Sequence, residues 1–183
     1  MKNLIIAIFM ASFISKLFGG EPPKTYKTAE IYRAMRQQIF DLPKEKFDLG
    51  QGDRFAIIME TGLEDACYSL VAVVDGSASL YFSGGGGIIG GGQNPEGAAA
   101  SKAFLDFSKR FDGQLTSTTQ FPLPRPGMTR FYIIRKDAVL TGEFKEEDLG
   151  NEKLPLSPLF HKGHELISMI RLIEEKRKSK PSH

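Results

Sequence analysis

The chain has one cysteine, three histidines, no tryptophan and a net charge of only +2 over 183 residues. A single thiol, Cys67, excludes an intrachain disulfide and any all-cysteine metal site. It fits a reducing compartment without requiring one. His161, His164 and His183 all lie at the C-terminal end, so histidine chemistry would have to be assembled there. The small net charge argues against nucleic acid as a partner, because phosphate binding calls for a concentrated basic face. No apolar run reaches the roughly 20 residues that a bilayer-spanning helix needs, so no transmembrane span is expected.

What is present is an ordinary globular composition, 41% hydrophobic with 14 Phe. One domain of this size buries roughly two thirds of the surface it exposes when unfolded. Residues 4–14 are apolar, preceded by Lys2 and followed by Lys16. They read as an amphipathic leader or N-terminal helix on a cytoplasmic protein, with translation from Met10 as one form of that reading. The alternative is export, if residues 1–20 act as a signal, although no pair of small residues marks a cleavage site. The expected organisation is a leader and linker over 1–23, ending in Gly19-Gly20-Glu21-Pro22-Pro23. A single α+β domain over 24–176 follows, with a basic disordered tail over 177–183.

Within the domain, Thr28 can cap a helix over 29–40 whose Ile31, Met35 and Ile39 form one apolar stripe. Strands are expected over 55–59, 67–74 and 78–82, the last two joined by Asp75-Gly76 as a two-residue hairpin turn. A helix over 95–111 carries Ala100, Ala103, Phe104, Phe107 and Phe111 on one face. Residues 115–121 suit an edge strand, and the prolines of 122–126 exclude helix. A second hairpin joins 130–135 to 138–144. Residues 145–148 read as charged and exposed and 149–156 as a loop. Ser157-Pro158 then opens a helix to about Lys176 with Leu159, Leu166, Ile170 and Ile173 facing inward. The fold class is α+β: a single mostly antiparallel sheet of five to six strands with helices packed on it, in the order α-βββ-α-ββ-α. That layout is similar to profilin-like and roadblock-like folds in element order, which implies no function.

The stretch with the most chemical interest follows Leu80-Tyr81-Phe82-Ser83. It reads Gly84, Gly85, Gly86, Gly87, Ile88, Ile89, Gly90, Gly91, Gly92 and Gln93, and runs into a helix opening at Asn94-Pro95-Glu96. This stretch resembles a family of small bacterial proteins over the middle half of the chain, and the resemblance implies no activity. Glycine amides leading into a helix N-terminus can cradle phosphate or carboxylate. Yet Ala98 and Ala99 stand where a phosphate-binding loop needs lysine and a hydroxyl, and a dinucleotide fingerprint lacks its parallel βαβ unit. The other reading is structural: glycines let the chain reverse and let a helix approach the sheet closely. Ile88 and Ile89 are then either core plugs or an exposed tip that binds another protein.

The remaining candidates carry less. His161 and His164 stand one turn apart at ligand spacing, but no third ligand is evident and helical phase turns both to the polar side, so a solvated face is read there. Cys67 reads as a buried structural thiol. Ser83 lacks the glycine two residues earlier that a nucleophile elbow needs, since Tyr81 stands there. The Pro122-Leu123-Pro124-Arg125-Pro126 segment stiffens a loop. No catalytic residue, metal or cofactor is assigned. The expected function is non-enzymatic binding of a protein partner, or self-association, through a sheet edge or the glycine loop. The binding residues are Gly84 to Gly92 and Asn94. The alternative is a small-ligand or phosphate binder, or a hydrolase with faint signals, with Ser83, Asn94 and Lys102 nearby.

Overall fold

Residues Arg54–Gly62 form a strand, β1, that is buried along its whole length. That pattern requires cover on both faces of the sheet. The computed structural model describes residues 26–49 and 52–179; the leader of 1–23 and the end of the tail lie outside the described residues. β1 is the central strand of seven, in the spatial order β4-β3-β2-β1-β6-β7-β5. The others are β2 (Cys67–Val73), β3 (Ala78–Phe82), β4 (Gly87–Ile88), β5 (Thr116–Thr118), β6 (Met128–Arg135) and β7 (Val139–Lys145). Every neighbouring pair is antiparallel.

Alternation along β1 divides the interior in two. Ile57 and Met59 face a core closed by helices α2 (Pro95–Phe107) and α4 (Ser157–Ser179). Ala56 and Ile58 face a second core closed by helix α1 (Glu30–Phe40) and by Phe121 and Leu123 of the proline segment. Phe121 stacks on Phe40 with ring centroids 4.1 Å apart. The proline segment therefore covers apolar sheet, which adds packing to the stiffness its composition supplies.

The α+β class and single antiparallel sheet stand, with corrections of detail. Among the described residues there are seven strands, because the chain reverses after Ser83 and pairs Ile88 with Leu80 as β4. A short helix, α3 (Glu146–Gly150), replaces part of the expected charged loop. Its three acidic residues in the first turn favour a helix N-terminus, and Leu149 fixes it to the core. The last helix continues to Ser179, past the expected end at Lys176. The Asp75-Gly76 hairpin is not a mirror-image two-residue turn. Among the residues joining β2 to β3 only Gly76 has positive φ, the Gly76 amide bonds the Val73 carbonyl, and the Val73 amide bonds the Ser77 carbonyl. This is a longer loop with glycine at its left-handed position.

Two helix faces are also rotated from expectation. On α1, Ile31 is exposed while Tyr32, Ile39 and Phe40 are buried. On α2, Ser101 and Leu105 join the inward face, where Ala100 also packs, while Ala103 is exposed. Ser101 is tolerated there because its hydroxyl donates to the Ser77 carbonyl at 2.8 Å.

The α1 rotation is explained by a polar row that crosses the sheet beneath it. Register places Ser69 opposite Glu60, Glu60 opposite Arg130, and Arg130 opposite Glu143. Glu60 is fully buried, and Arg36 of α1 reaches it through Nε and Nη2, each at 2.7 Å. Ser69 Oγ donates to the same carboxylate at 2.6 Å. With its proton committed to Glu60, the Ser69 hydroxyl accepts from Tyr32 Oη at 2.8 Å. Tyr32 in turn accepts from the Cys67 thiol at 3.3 Å. Every proton in this chain points toward one carboxylate. Burial, followed by the Glu60 charge, pushes the Tyr32 phenol far above its ordinary value, and burial likewise raises the Cys67 thiol. Cys67 is thus a buried, protonated thiol with a structural place.

Candidate functional site

The glycine run divides into two parts with different local physics. Gly85 and Gly86 have φ of +100° and +80°, which lets the chain turn back from β3 to β4. The second part is defined by close approach. A Cβ on Gly92 would lie 2.1 Å from the Gly76 carbonyl oxygen, and one on Gly97 would lie 2.0 Å from that of Gly91. These glycines seat the start of α2 directly against backbone. The two isoleucines between the parts separate: Ile88 is partly buried and packs on the core, whereas Ile89 is 57% exposed.

The N-terminus of α2 is occupied by its own cap. Asn94 Oδ1 accepts from the Glu96 amide at 2.8 Å and from the Gly97 amide at 3.4 Å. Those are amides that a phosphate at this helix end would use. Asn94→Ala is expected to lower stability by about 1 kcal/mol, read from urea unfolding, because it orphans both amides.

What the hairpin builds is a pair of grooves against α4, and they share Ile88. The first has a volume of about 390 Å³. Ile88, Ile89, Gly90, Gly91 and Asn94 are on one side, and Ile170, Ile173, Glu174, Lys176 and Arg177 line the other. Gly91 is buried against Ile170, where a Cβ would come within 2.4 Å of Cγ2. The second groove lies between α4 and the ends of β2 and β3, with Tyr68 and Phe82 directly opposite each other in register.

No family model, curated protein or solved structure matches the chain. The site therefore has to be read from its own geometry. The structure brings five of the sequence-selected residues, Ile88 to Gly91 and Asn94, into one groove wall, while Gly84 to Gly86 lie in the turn before β4. Beside the expected inward Ile173, it also adds Lys176 and Arg177 of α4. The sequence gives the cations of the basic tail no mark of facing the glycine hairpin.

The other candidates resolve individually. Ser83 is buried, and its Oγ accepts from the Cys67 amide at 2.9 Å, which is a structural role. His161 and His164 are half-buried against Phe160, with the His164 ring 4.4 Å from the Phe160 ring, so the expected solvated face is corrected. The helix sits deep enough there that a Cβ on Gly163 would meet Met59 at 2.7 Å. Burial, with His161 adding to it, lowers the His164 pKa. Among the described residues no group of three or more potential metal ligands occurs. No helix among them is long and apolar enough to cross a membrane.

Proposed function

We propose that the protein is a non-enzymatic interaction domain that holds a segment of a protein partner in the groove between the glycine hairpin and α4. The observation that carries this reading is Ile89, exposed at the sheet edge beside a groove floored by Ile88, Ile170 and Ile173. Covering one large aliphatic side chain is worth about 1.5–3 kcal/mol, so an apolar anchor laid along these four isoleucines has a substantial driving force. The far rim adds charge. Arg177 is engaged with Glu174, while Lys176 has no acidic partner among the described residues. The fitting segment is an apolar anchor followed by acidic residues.

The resemblance to a bacterial family and the profilin-like or roadblock-like layout are compatible with such a role and supply no partner. A single buried, protonated cysteine fits the cytoplasmic setting that belongs to this proposal, with export as its alternative.

Selection of displayed random peptides on the full chain should enrich sequences with an apolar residue followed by aspartate or glutamate. Their binding should fall at least about tenfold on Ile89→Asp and on Lys176→Glu. No enrichment, or equal binding to Ile89→Asp, overturns the reading. A dimer in light scattering that Ile89→Asp dissolves would assign the groove to a second copy of the chain instead.

A further inference from the structure

The second groove has walls of one chemistry and a rim of another. Leu80, Phe82, Ile88 and Ile167 make the walls apolar, and Tyr68 closes the sheet side. His164 and Arg171 stand with Ile167 on one stripe of α4, at spacings of three and four residues. The volume of about 310 Å³ lies at the small end of the range for small-molecule sites, which are mostly apolar with a few placed polar groups. No carboxylate lines it. Among the described residues Arg171 makes no ion pair, although ten other basic side chains each sit beside an acid. The Nε2 atom of His164 is buried without a hydrogen-bond partner among the described residues, a costly state that a small turn of the ring toward a ligand oxygen would relieve.

We propose that this groove binds a small amphipathic carboxylate, such as a medium-chain fatty acid or an arylalkanoate. The carboxylate sits between Arg171 and His164, and the apolar part lies along Phe82, Leu80 and Ile167. Burial, with the Glu146 charge adding to it, raises the Tyr68 phenol, so Tyr68 itself brings no negative charge to the groove. The site shares only Ile88 with the partner groove and does not rest on that reading.

Octanoate and phenylbutyrate, with octanol and phenylbutanol as uncharged controls, are titrated into the full chain and followed by calorimetry and amide NMR. Each acid should bind at least about tenfold tighter than its alcohol, because the charge-assisted contact to Arg171 is available only to the acid. The amides of Phe82 and Ile167 should shift. Arg171→Glu should erase the acid–alcohol difference, and Ile167→Trp, which fills the groove, should weaken acid and alcohol alike. Failure of both acids to bind at millimolar concentration, equal affinity for acid and alcohol, or undiminished binding to Arg171→Glu overturns the proposal. Ile89→Asp lies outside this groove, so loss of the peptide interaction and loss of carboxylate binding are separable results.

Discussion

Arg36→Met should destabilise the protein by about 3–5 kcal/mol, read as a lower urea midpoint at unchanged slope. The cost comes from what is left behind. Glu60 is wholly buried, and removal of Arg36 takes away both guanidinium bonds and the adjacent positive charge. Ser69 alone remains on the carboxylate, and it cannot replace a charge. Pairing Arg36→Met with Glu60→Gln should recover most of the loss, since a neutral amide in that place needs only hydrogen bonds. The single substitution therefore measures an uncompensated buried charge more than the worth of the pair. A loss below about 1 kcal/mol for Arg36→Met would show that Glu60 is not held as a buried anion, and the proton order from Cys67 through Tyr32 and Ser69 would fall with it.

Gly97→Ala and Gly84→Ala should behave oppositely, although both remove a glycine from the same region. Alanine inside α2 gains about 1 kcal/mol in helix propensity over glycine. At Gly97 that gain is overwhelmed, because the new Cβ would stand 2.0 Å from the Gly91 carbonyl oxygen, and backbone cannot swing away as a side-chain tip can. A net loss of about 2 kcal/mol or more is expected. At Gly84 a Cβ meets nothing within 4 Å, and the residue is not among the positive-φ glycines. Gly84→Ala should be neutral or add about 0.4–1 kcal/mol by restricting the unfolded chain. Thermal unfolding of the two variants distinguishes them directly. Equal destabilisation would mean that the hairpin turn has a packing demand that its open surroundings do not show.

The α+β class, the central meander and the inward face of α4 were legible because period-2 and period-3.6 apolar patterns persist over several residues there. β4 was not, because two residues set among glycines carry no period. From sequence β1 ends at Met59, because Glu60 reads as an exit to solvent, whereas the strand runs on to Gly62. The partner of Glu60, Arg36, stands on a helix 24 residues earlier, and no local pattern links the two. The same blindness hid the α1 face. Ile31, Met35 and Ile39 make a better apolar stripe on paper than Tyr32, Arg36, Ile39 and Phe40, but the buried carboxylate selects the face that brings a guanidinium. At the candidate site, the hairpin side was visible as a glycine run. The α4 side was not, since apposition of residues 88–91 with residues 170–177 is a property of the folded sheet.

The sheet is long in its middle and short at its margins: nine residues in β1, against two in β4 and three in β5. Open strand edges invite chain-to-chain polymerisation in proportion to their length and apolarity. Here the outermost strands offer glycine and isoleucine on one side and threonine and serine on the other, too little backbone to template a cross-β stack. The hazardous segment is Phe55-Ala56-Ile57-Ile58-Met59, uncharged, proline-free and strongly strand-forming. It is sealed at the centre by neighbours on both sides. Solubility of this protein thus depends on keeping its middle strand paired, and conditions that loosen α1 from the sheet should be those under which it aggregates.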